Sequence, residues 1–426
     1  MVRREILAGI TSFATMSFIL VVNPAVMSVA GMDRADLVMA TALAATIGTL
    51  LVGLASNRPL VAAPAMGSNV VFASVMVGQL GIPWQAGLAM VILTGALFLA
   101  LSLSDLRRKV MQAVPDSLRI GIQSGIGLLI IFVALRGSGV IRAAPGTLVT
   151  LGSLTDPAVL LTLCGIGLTT ALIIRGIRGA LMISIAVLTA FALVLHHPDG
   201  RAIAALPARL VAWPHFPSSI ALHADFAWVF THFALCAPVM IYFFCSEFFS
   251  TLGTLITVTE GTGLAADHAT VRRIFTADAT ATIIGPVLGT SVVTIFVESL
   301  AGIEAGGRTG LTAVTAAALF ALSLFFWPLL IAVPAQATAP AMIAVGLLML
   351  GALRRLRFDD PDQALPALLT AIGAGFTANL INGMALGTFA HLLIETLRGR
   401  IRHTSPILWG AAAVFISYYV VISRLH

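Results

Sequence analysis

Charge is what this chain has least of. Only 10% of its 426 residues are Asp, Glu, Lys or Arg, against about 25% in a soluble globular domain, and that shortfall excludes an ordinary water-soluble fold. Cysteine is nearly absent: Cys164, Cys236 and Cys245 all sit in apolar stretches, so neither a disulfide framework nor a metal-ligand spacing is available. There is no glycine-rich phosphate loop, no His-Glu metal signature and no Ser-His-Asp arrangement. ATP-driven, metal-dependent and hydrolytic chemistry therefore find no support, and no cofactor is implied. The longest polar interruption, about 196–225, is too short for a soluble domain. No cleavable leader is expected, because the first apolar segment follows Arg3 and Arg4 and runs on as a full span without a cleavage site. The net charge of +6 does not point to nucleic acid, since the arginines lie between apolar spans rather than on one face.

What is present is hydrocarbon. The chain is 59% hydrophobic with a mean hydropathy of +1.02, the composition of an all-α polytopic membrane protein. Runs of about 20 apolar residues, long enough to span a bilayer, start near Ile6, Leu37, Trp84, Ser117, Ala158 and Ala180. They resume near Ala227, Ala279, Leu311, Ala341, Leu365 and Ile407. Two further segments are short and broken: 59–78, with Pro64 and Gly67 inside it, and 285–302, where Pro286 and Gly289 precede TSVVTIFVES. Irregular backbone at that depth survives only where protein or a water-filled cavity satisfies it. Their separation is close to that between the first span and the span holding Glu247, and paired interrupted segments in matching halves point to an inverted-repeat transporter.

Arginine clusters at Arg3/Arg4, Arg107/Arg108/Lys109, Arg175/Arg178, Arg272/Arg273 and Arg354/Arg355/Arg357 all fall on the cytoplasmic side if the N-terminus is inside. The last cluster, Arg398/Arg400/Arg402, joins them only if 365–397 forms a hairpin or a partly re-entrant pair.

The stretch 237–254, APVMIYFFCSEFFSTLGT, puts Glu247 inside an apolar run, and GTSVVTIFVESLAG holds a second acid, Glu298. An ionisable group at membrane depth costs about 2.5–3.5 kcal/mol on insertion scales, so it persists mainly where it faces a polar cavity. Two acids beside small-residue helix breaks suggest a solute site halfway across the bilayer, with at least one acid carrying a proton. The plainer alternative is a pair of structural acids satisfied between packed helices.

With these residues in view, the sequence resembles the AzgA-type purine permeases of the nucleobase–cation symporter-2 family. The resemblance rests on GITSFATMSFILVVNPAVMSVAGM, APAMGSNVVFA, GTLITV, TADATATIIGPVLGTSVVTIFVES with AGIEAGGRTGLTAV, and ATAPAMIAVGLLM, and covers nearly the whole chain. It implies about fourteen segments in a seven-plus-seven inverted repeat with broken third and tenth segments. Residues 1–200 would form the first repeat, 201–225 an extracytoplasmic loop and 226–426 the second repeat. Spans 1–4 and 8–11 would make a core domain, and spans 5–7 and 12–14 a gate domain. Function would be proton-coupled import of adenine, guanine or hypoxanthine by alternating access across a bacterial inner membrane, with a homodimer as one admissible assembly. Asn69 matches the family's Asn in the third segment and Glu298 its Glu in the tenth. In the eighth, where the family reads Asp-x-x-Asp-Thr, this chain reads Glu247-Phe-Phe-Ser250-Thr251; Phe18 stands where Tyr is common and Ala65 where Gly is.

A purine needs acceptors for its ring N–H groups, a donor for its carbonyl or bare nitrogens, and an apolar slot for its faces. Glu247 and Glu298 supply acceptors, Asn69 supplies both functions, and free N–H groups of half-helix N-termini near Ser68 and near Ser291/Val292 would add donors. Phe72, Phe244 and Phe248 are candidates to stack on the base, with packing against core or lipid as the alternative. Ser250, one turn from Glu247, would bond its carboxyl or the ligand. Glu247 is the first choice for the proton, with Glu298 sharing the duty. Asp278 is a further candidate, set against a structural role at a cytoplasmic helix end near Arg272 and Arg273. Competing readings are a related nucleobase or urate-like solute, a passive channel or anion exchanger on the same scaffold, and a non-transporting membrane sensor.

Overall fold

The computed structural model describes residues 2–104, 114–144, 147–262, 268–401 and 404–423; the Arg107/Arg108/Lys109 cluster and Arg402 lie outside them. A chain this apolar must satisfy its backbone internally, which helices do. Among the described residues, eight helices are long and apolar enough to cross a bilayer, accompanied by four shorter apolar ones. Leu54, Ile174 and Phe376 remain exposed, a surface that lipid rather than water would cover.

The first half runs α1 (Val2–Met16) and α2 (Ile19–Met27), then α3 (Arg34–Ser56), β1 (Ala62–Pro64), α4 (Met66–Val70), α5 (Trp84–Leu103) and α6 (Asp116–Gly137). A short hairpin of β2 (Ile141–Ala144) and β3 (Leu148–Leu151) leads to α7 (Pro157–Ile174) and α8 (Ala180–Ala192). The second half runs α9 (Phe226–Thr231), α10 (Phe233–Thr262), α11 (His268–Val287), β4 (Val293–Ile295), α12 (Ser299–Glu304), α13 (Gly310–Ser323), α14 (Trp327–Ile331) and α15 (Ala335–Leu350). It ends with α16 (Pro361–Thr377), α17 (Leu380–Leu397) and α18 (Pro406–Ser423).

The two halves interlock about the broken segments. β1 and β4 pair antiparallel, Ala62 opposite Ile295 and Pro64 opposite Val293, and the ladder continues through Ala65 N–H to Val292 O at 2.9 Å and Phe296 N–H to Val61 O at 3.0 Å. Side chains from neighbouring helices close the remaining backbone groups in a matched way. Thr49 on α3 donates to Ala62 O at 2.8 Å, and Thr282 on α11 donates to Val293 O at 2.9 Å. The same exchange holds for whole helices, since α3 packs on α13 as α11 packs on α5, and α3 and α11 pack on each other. That swap of partners is the signature of an inverted repeat.

α1–α5 and α10–α13 pack around this crossing, whereas α6, α7, α8, α15, α16 and α17 pack mainly on one another. The expected hairpin over 365–397 is present as α16 and α17, hinged at Ala378 in left-handed conformation (φ 47) and Asn379, whose side chain caps α17 through Ile381 N–H at 3.0 Å. Its two ends meet: Asp362, in the first turn of α16, pairs with Arg398 at 2.9 Å and Arg400 at 2.7 Å, just beyond α17. Start and finish therefore lie on the same side, as the arginine distribution required.

Two boundaries differ from the sequence expectation. The span expected from Ala227 is interrupted at His232, which ends α9 and stacks on Trp228 at 4.2 Å. The span expected from Ala279 begins at His268, so Arg272, Arg273 and Asp278 are helical. The polar run TVRRIFTAD reads as a loop only if every polar residue must avoid the membrane; in α11 the arginines are exposed while Asp278 faces protein.

The 196–225 connection is anchored rather than free. Asp36, near the start of α3, accepts from Ser219 N at 2.8 Å and Ser219 Oγ at 2.6 Å, and meets His215 Nε2 at 2.8 Å.

Candidate polar centre at the strand crossing

On α10 the spacing 243, 247, 251 puts Phe243, Glu247 and Thr251 on one buried face. That face meets the turn after β1. Ser68 Oγ donates to Glu247 Oε1 at 2.9 Å, and the second carboxylate oxygen, Oε2, has no hydrogen-bond partner among the described residues. Tyr242, fully buried one helical turn before Ser246, lies beside the hydroxyls of Ser68 and Ser246, and among the described residues its own hydroxyl makes no bond of good geometry.

Asn69, the next residue after Ser68, is turned the other way. Its amide donates to Asn23 Oδ1, and Asn23 donates in turn to Thr41 Oγ1 at 2.7 Å and Thr290 Oγ1 at 3.0 Å. Among the described residues Asn69 Oδ1 is left without a partner, as is Ser291 Oγ. Among the described residues, four polar atoms without a partner thus belong to side chains within or next to the strand crossing: Glu247 Oε2, Asn69 Oδ1, Tyr242 Oη and Ser291 Oγ.

Asp278 is fully buried on α11 and is bound to β4: its carboxylate accepts from Thr251 Oγ1, from Thr294 Oγ1 at 3.3 Å and from Ile295 N–H at 2.9 Å. The helix-end role expected for it is therefore wrong. Starting α11 eleven residues earlier carries Asp278 inward to the ladder, leaving Arg272 and Arg273 outside.

Glu298 is placed differently. It precedes α12, is half-buried and makes no side-chain hydrogen bond among the described residues. β1 exits toward Ser68 at the Pro64/Val293 end of the ladder, and β4 exits toward Glu298 at the Ala62/Ile295 end. Glu247 and Glu298 thus serve opposite ends of the crossing and share no hydrogen bond. Nor do Ser291 and Val292 begin a half-helix: they precede β4, and the half-helix starts at Ser299.

Ser250 is exposed and makes no hydrogen bond with Glu247; Thr251, at the i+4 position, is the buried hydroxyl, and it meets the backbone carbonyl of Glu247 at 3.0 Å and the carboxylate of Asp278 rather than the Glu247 carboxyl. Phe248 is enclosed by other rings, edge-on to Phe98 at 5.9 Å and stacked on Phe244 at 5.7 Å. Phe72 is fully buried in the widened turn Val71–Val77 and packs toward Gly87 and Met76. Phe72 and Phe248 therefore face protein here, while Phe244 remains half-buried. With Glu247, Asp278, Ser68, Asn69 and Ser291 all buried, the centre is closed to solvent in this conformation. A groove of about 540 Å³ lined by Leu51, Ala55, Arg272 and Arg273 opens along a different face of α11 and is no part of it.

Asn23, Thr41, Thr290 and Thr294 escaped the sequence reading. Asn23-Pro24 inside the first apolar span was the available signal, since an amide in such a run needs a partner as much as a carboxylate does; lone threonines, which normally bond their own helix, gave none.

Comparison with known proteins agrees with this architecture. A model of a permease family (Xan_ur_permease) matches residues 3–386. The guanine/hypoxanthine permease PbuO of Bacillus subtilis (strain 168) is 38% identical over 425 residues, covering 97% of this chain and 96% of that protein. The adenine permease AdeP of Escherichia coli (strain K12) is 38% identical over 423 residues, covering 99% and 93%. Among solved structures, the transmembrane domain of the cyanobacterial bicarbonate transporter BicA shares the fold, with a TM-score of 0.65 at 16% identity over 89% of this chain and 97% of that one. A matched family model over most of the length, full-length relatives and the paired broken segments agree: the chain belongs to this permease family, and is a multi-pass membrane transporter rather than an enzyme.

Proposed function

We propose that the protein imports purine nucleobases in symport with protons across a bacterial inner membrane, and that the base binds at the β1/β4 crossing. The observation that carries this reading is the set of unpaired buried atoms, Glu247 Oε2, Asn69 Oδ1, Tyr242 Oη and Ser291 Oγ. More than about 90% of buried polar groups in folded proteins are paired, so several orphans on side chains around one crossing mark a place where a polar ligand completes the bonding. A flat base rich in N–H groups fits such acceptors, and purine permeases are among the full-length relatives. Glu247 is the proton carrier in this scheme, being a carboxyl with one oxygen uncommitted; Glu298, half-buried beyond the other end of the ladder, is the second.

The helices around the crossing, α1–α5 and α10–α13, act as the core, and α6–α8 with α15–α18 as the gate, within repeats 1–200 and 226–426 joined by the 201–225 loop. Motion of one against the other would open the closed centre to each side in turn. A Cβ on Gly67 would lie 2.5 Å from Ile126 Cγ2 of α6, so the two groups touch closely beside the site. The bicarbonate transporter on the same fold suggests anion carriage as an alternative, but Glu247 and Asp278 together would repel an anion.

Uptake of labelled adenine, guanine and hypoxanthine into proteoliposomes, with and without an inward proton gradient, tests the proposal. At least one base should accumulate only with the gradient. Uptake unchanged on collapsing it removes the symport mechanism; uptake of none removes the substrate assignment. Glu298→Gln is expected to abolish high-affinity binding while leaving folded protein in the membrane, and unchanged binding in that variant would strike Glu298 from the site.

A further inference from the structure

The bonding around Asn69 has a direction. Thr41 Oγ1 donates to the carbonyl of Leu37 at 2.6 Å, and a hydroxyl has one proton. Toward Asn23, 2.7 Å away, Thr41 can then only accept. Asn23 must therefore turn its NH₂ to Thr41 and Thr290, which leaves its Oδ1 facing Asn69. Asn69 in turn must offer one N–H of its NH₂ to Asn23, which leaves its carbonyl oxygen buried and without a partner among the described residues. Amide orientation is set by such networks and not by the shape of the group; here the network ends on a helix carbonyl.

We infer that Thr41 and Asn23 are positioning residues that fix the Asn69 amide with its carbonyl oxygen free, so that this atom reads an N–H group of the bound base. The inference rests on the substrate reading above and refines it: a base is selected by a donor at one defined point on its edge, and a bare ring nitrogen or carbonyl presented there is rejected because it would face Asn69 Oδ1. Neither Thr41 nor Asn23 touches the ligand in this scheme. Together they tie α2, α3 and the turn before β4 to the start of α4, so the orientation is shared between both halves of the molecule.

Binding of hypoxanthine, guanine and adenine to the purified full-length protein decides the matter. Thr41→Val keeps the shape and removes the acceptor; it should weaken the best-bound base about tenfold, and Thr41→Ser should restore the native affinity. In an Asn69→Ala background Thr41→Val should cost nothing further, because the orientation it controls is gone. If Thr41→Val fails to fold, Asn23→Ser serves in the same cycle. Native affinity in Thr41→Val, or an equal loss in both backgrounds, overturns the relay while leaving the substrate reading intact. Failure of the unaltered protein to bind any of the three bases overturns the substrate reading and this inference with it.

Discussion

Replacing Asp278 by alanine should cost the protein more stability than any other single change around the strand crossing. The carboxylate holds the Ile295 N–H at 2.9 Å and collects the hydroxyls of Thr251 and Thr294, and it is fully buried. Thr251 can fall back on the Glu247 backbone carbonyl, but the Ile295 N–H would be stranded at about 1–3 kcal/mol, against a total stability of about 5–15 kcal/mol for a typical domain. The loss is concentrated on β4, whose backbone has few alternatives at that depth. Thermal unfolding of the purified protein in detergent should show a large drop for Asp278→Ala and a smaller one for Asp278→Asn, which keeps an acceptor for Ile295. A melting temperature unchanged in Asp278→Ala would mean that the ladder does not depend on this anchor.

Glu247→Gln should separate transport from its driving force. The amide oxygen can still accept from Ser68, so the local fold is kept, but the group no longer takes up or releases a proton, and an NH₂ replaces the free acceptor Oε2. Hydrogen bonds to charged groups are worth about 1.5–3 kcal/mol, and about 1.4 kcal/mol is a factor of ten. Affinity for the base should therefore fall tenfold or more, and proton-driven accumulation should vanish even at saturating base. Uptake by the native protein should vary with external pH, and residual exchange by the variant should not. Gradient-driven accumulation by Glu247→Gln at the native level would remove Glu247 as the proton carrier.

The membrane class, the broken segments and the α16/α17 hairpin were legible in the sequence because each leaves a one-dimensional trace: an apolar run, a Pro/Gly interruption, a misplaced arginine cluster. Glu247 and Asn69 were legible as polar residues where none is cheap. Asp278 is not legible as the anchor of β4, because hydropathy cannot distinguish a polar residue at a helix end from one on a helix face that packs against protein. The i+3 spacing alone puts Ser250 on the Glu247 face; i+3 and i+4 both lie near residue i, and packing turns Thr251 inward instead. Phe248 is surrounded by Phe98, Phe244 and Phe275, distant in sequence, so its neighbours could not be read from its own segment. The Leu37–Thr41–Asn23–Asn69 relay joins three segments and exists only in three dimensions.

A structure of the protein bound to hypoxanthine, guanine or adenine tests the central claim most directly. The base should lie at the β1/β4 crossing with an N–H within hydrogen-bond distance of Asn69 Oδ1 and a second polar contact to Glu247. A base found instead in the groove beside Arg272 and Arg273, or at the crossing with Glu247 and Asn69 both unengaged, would contradict it.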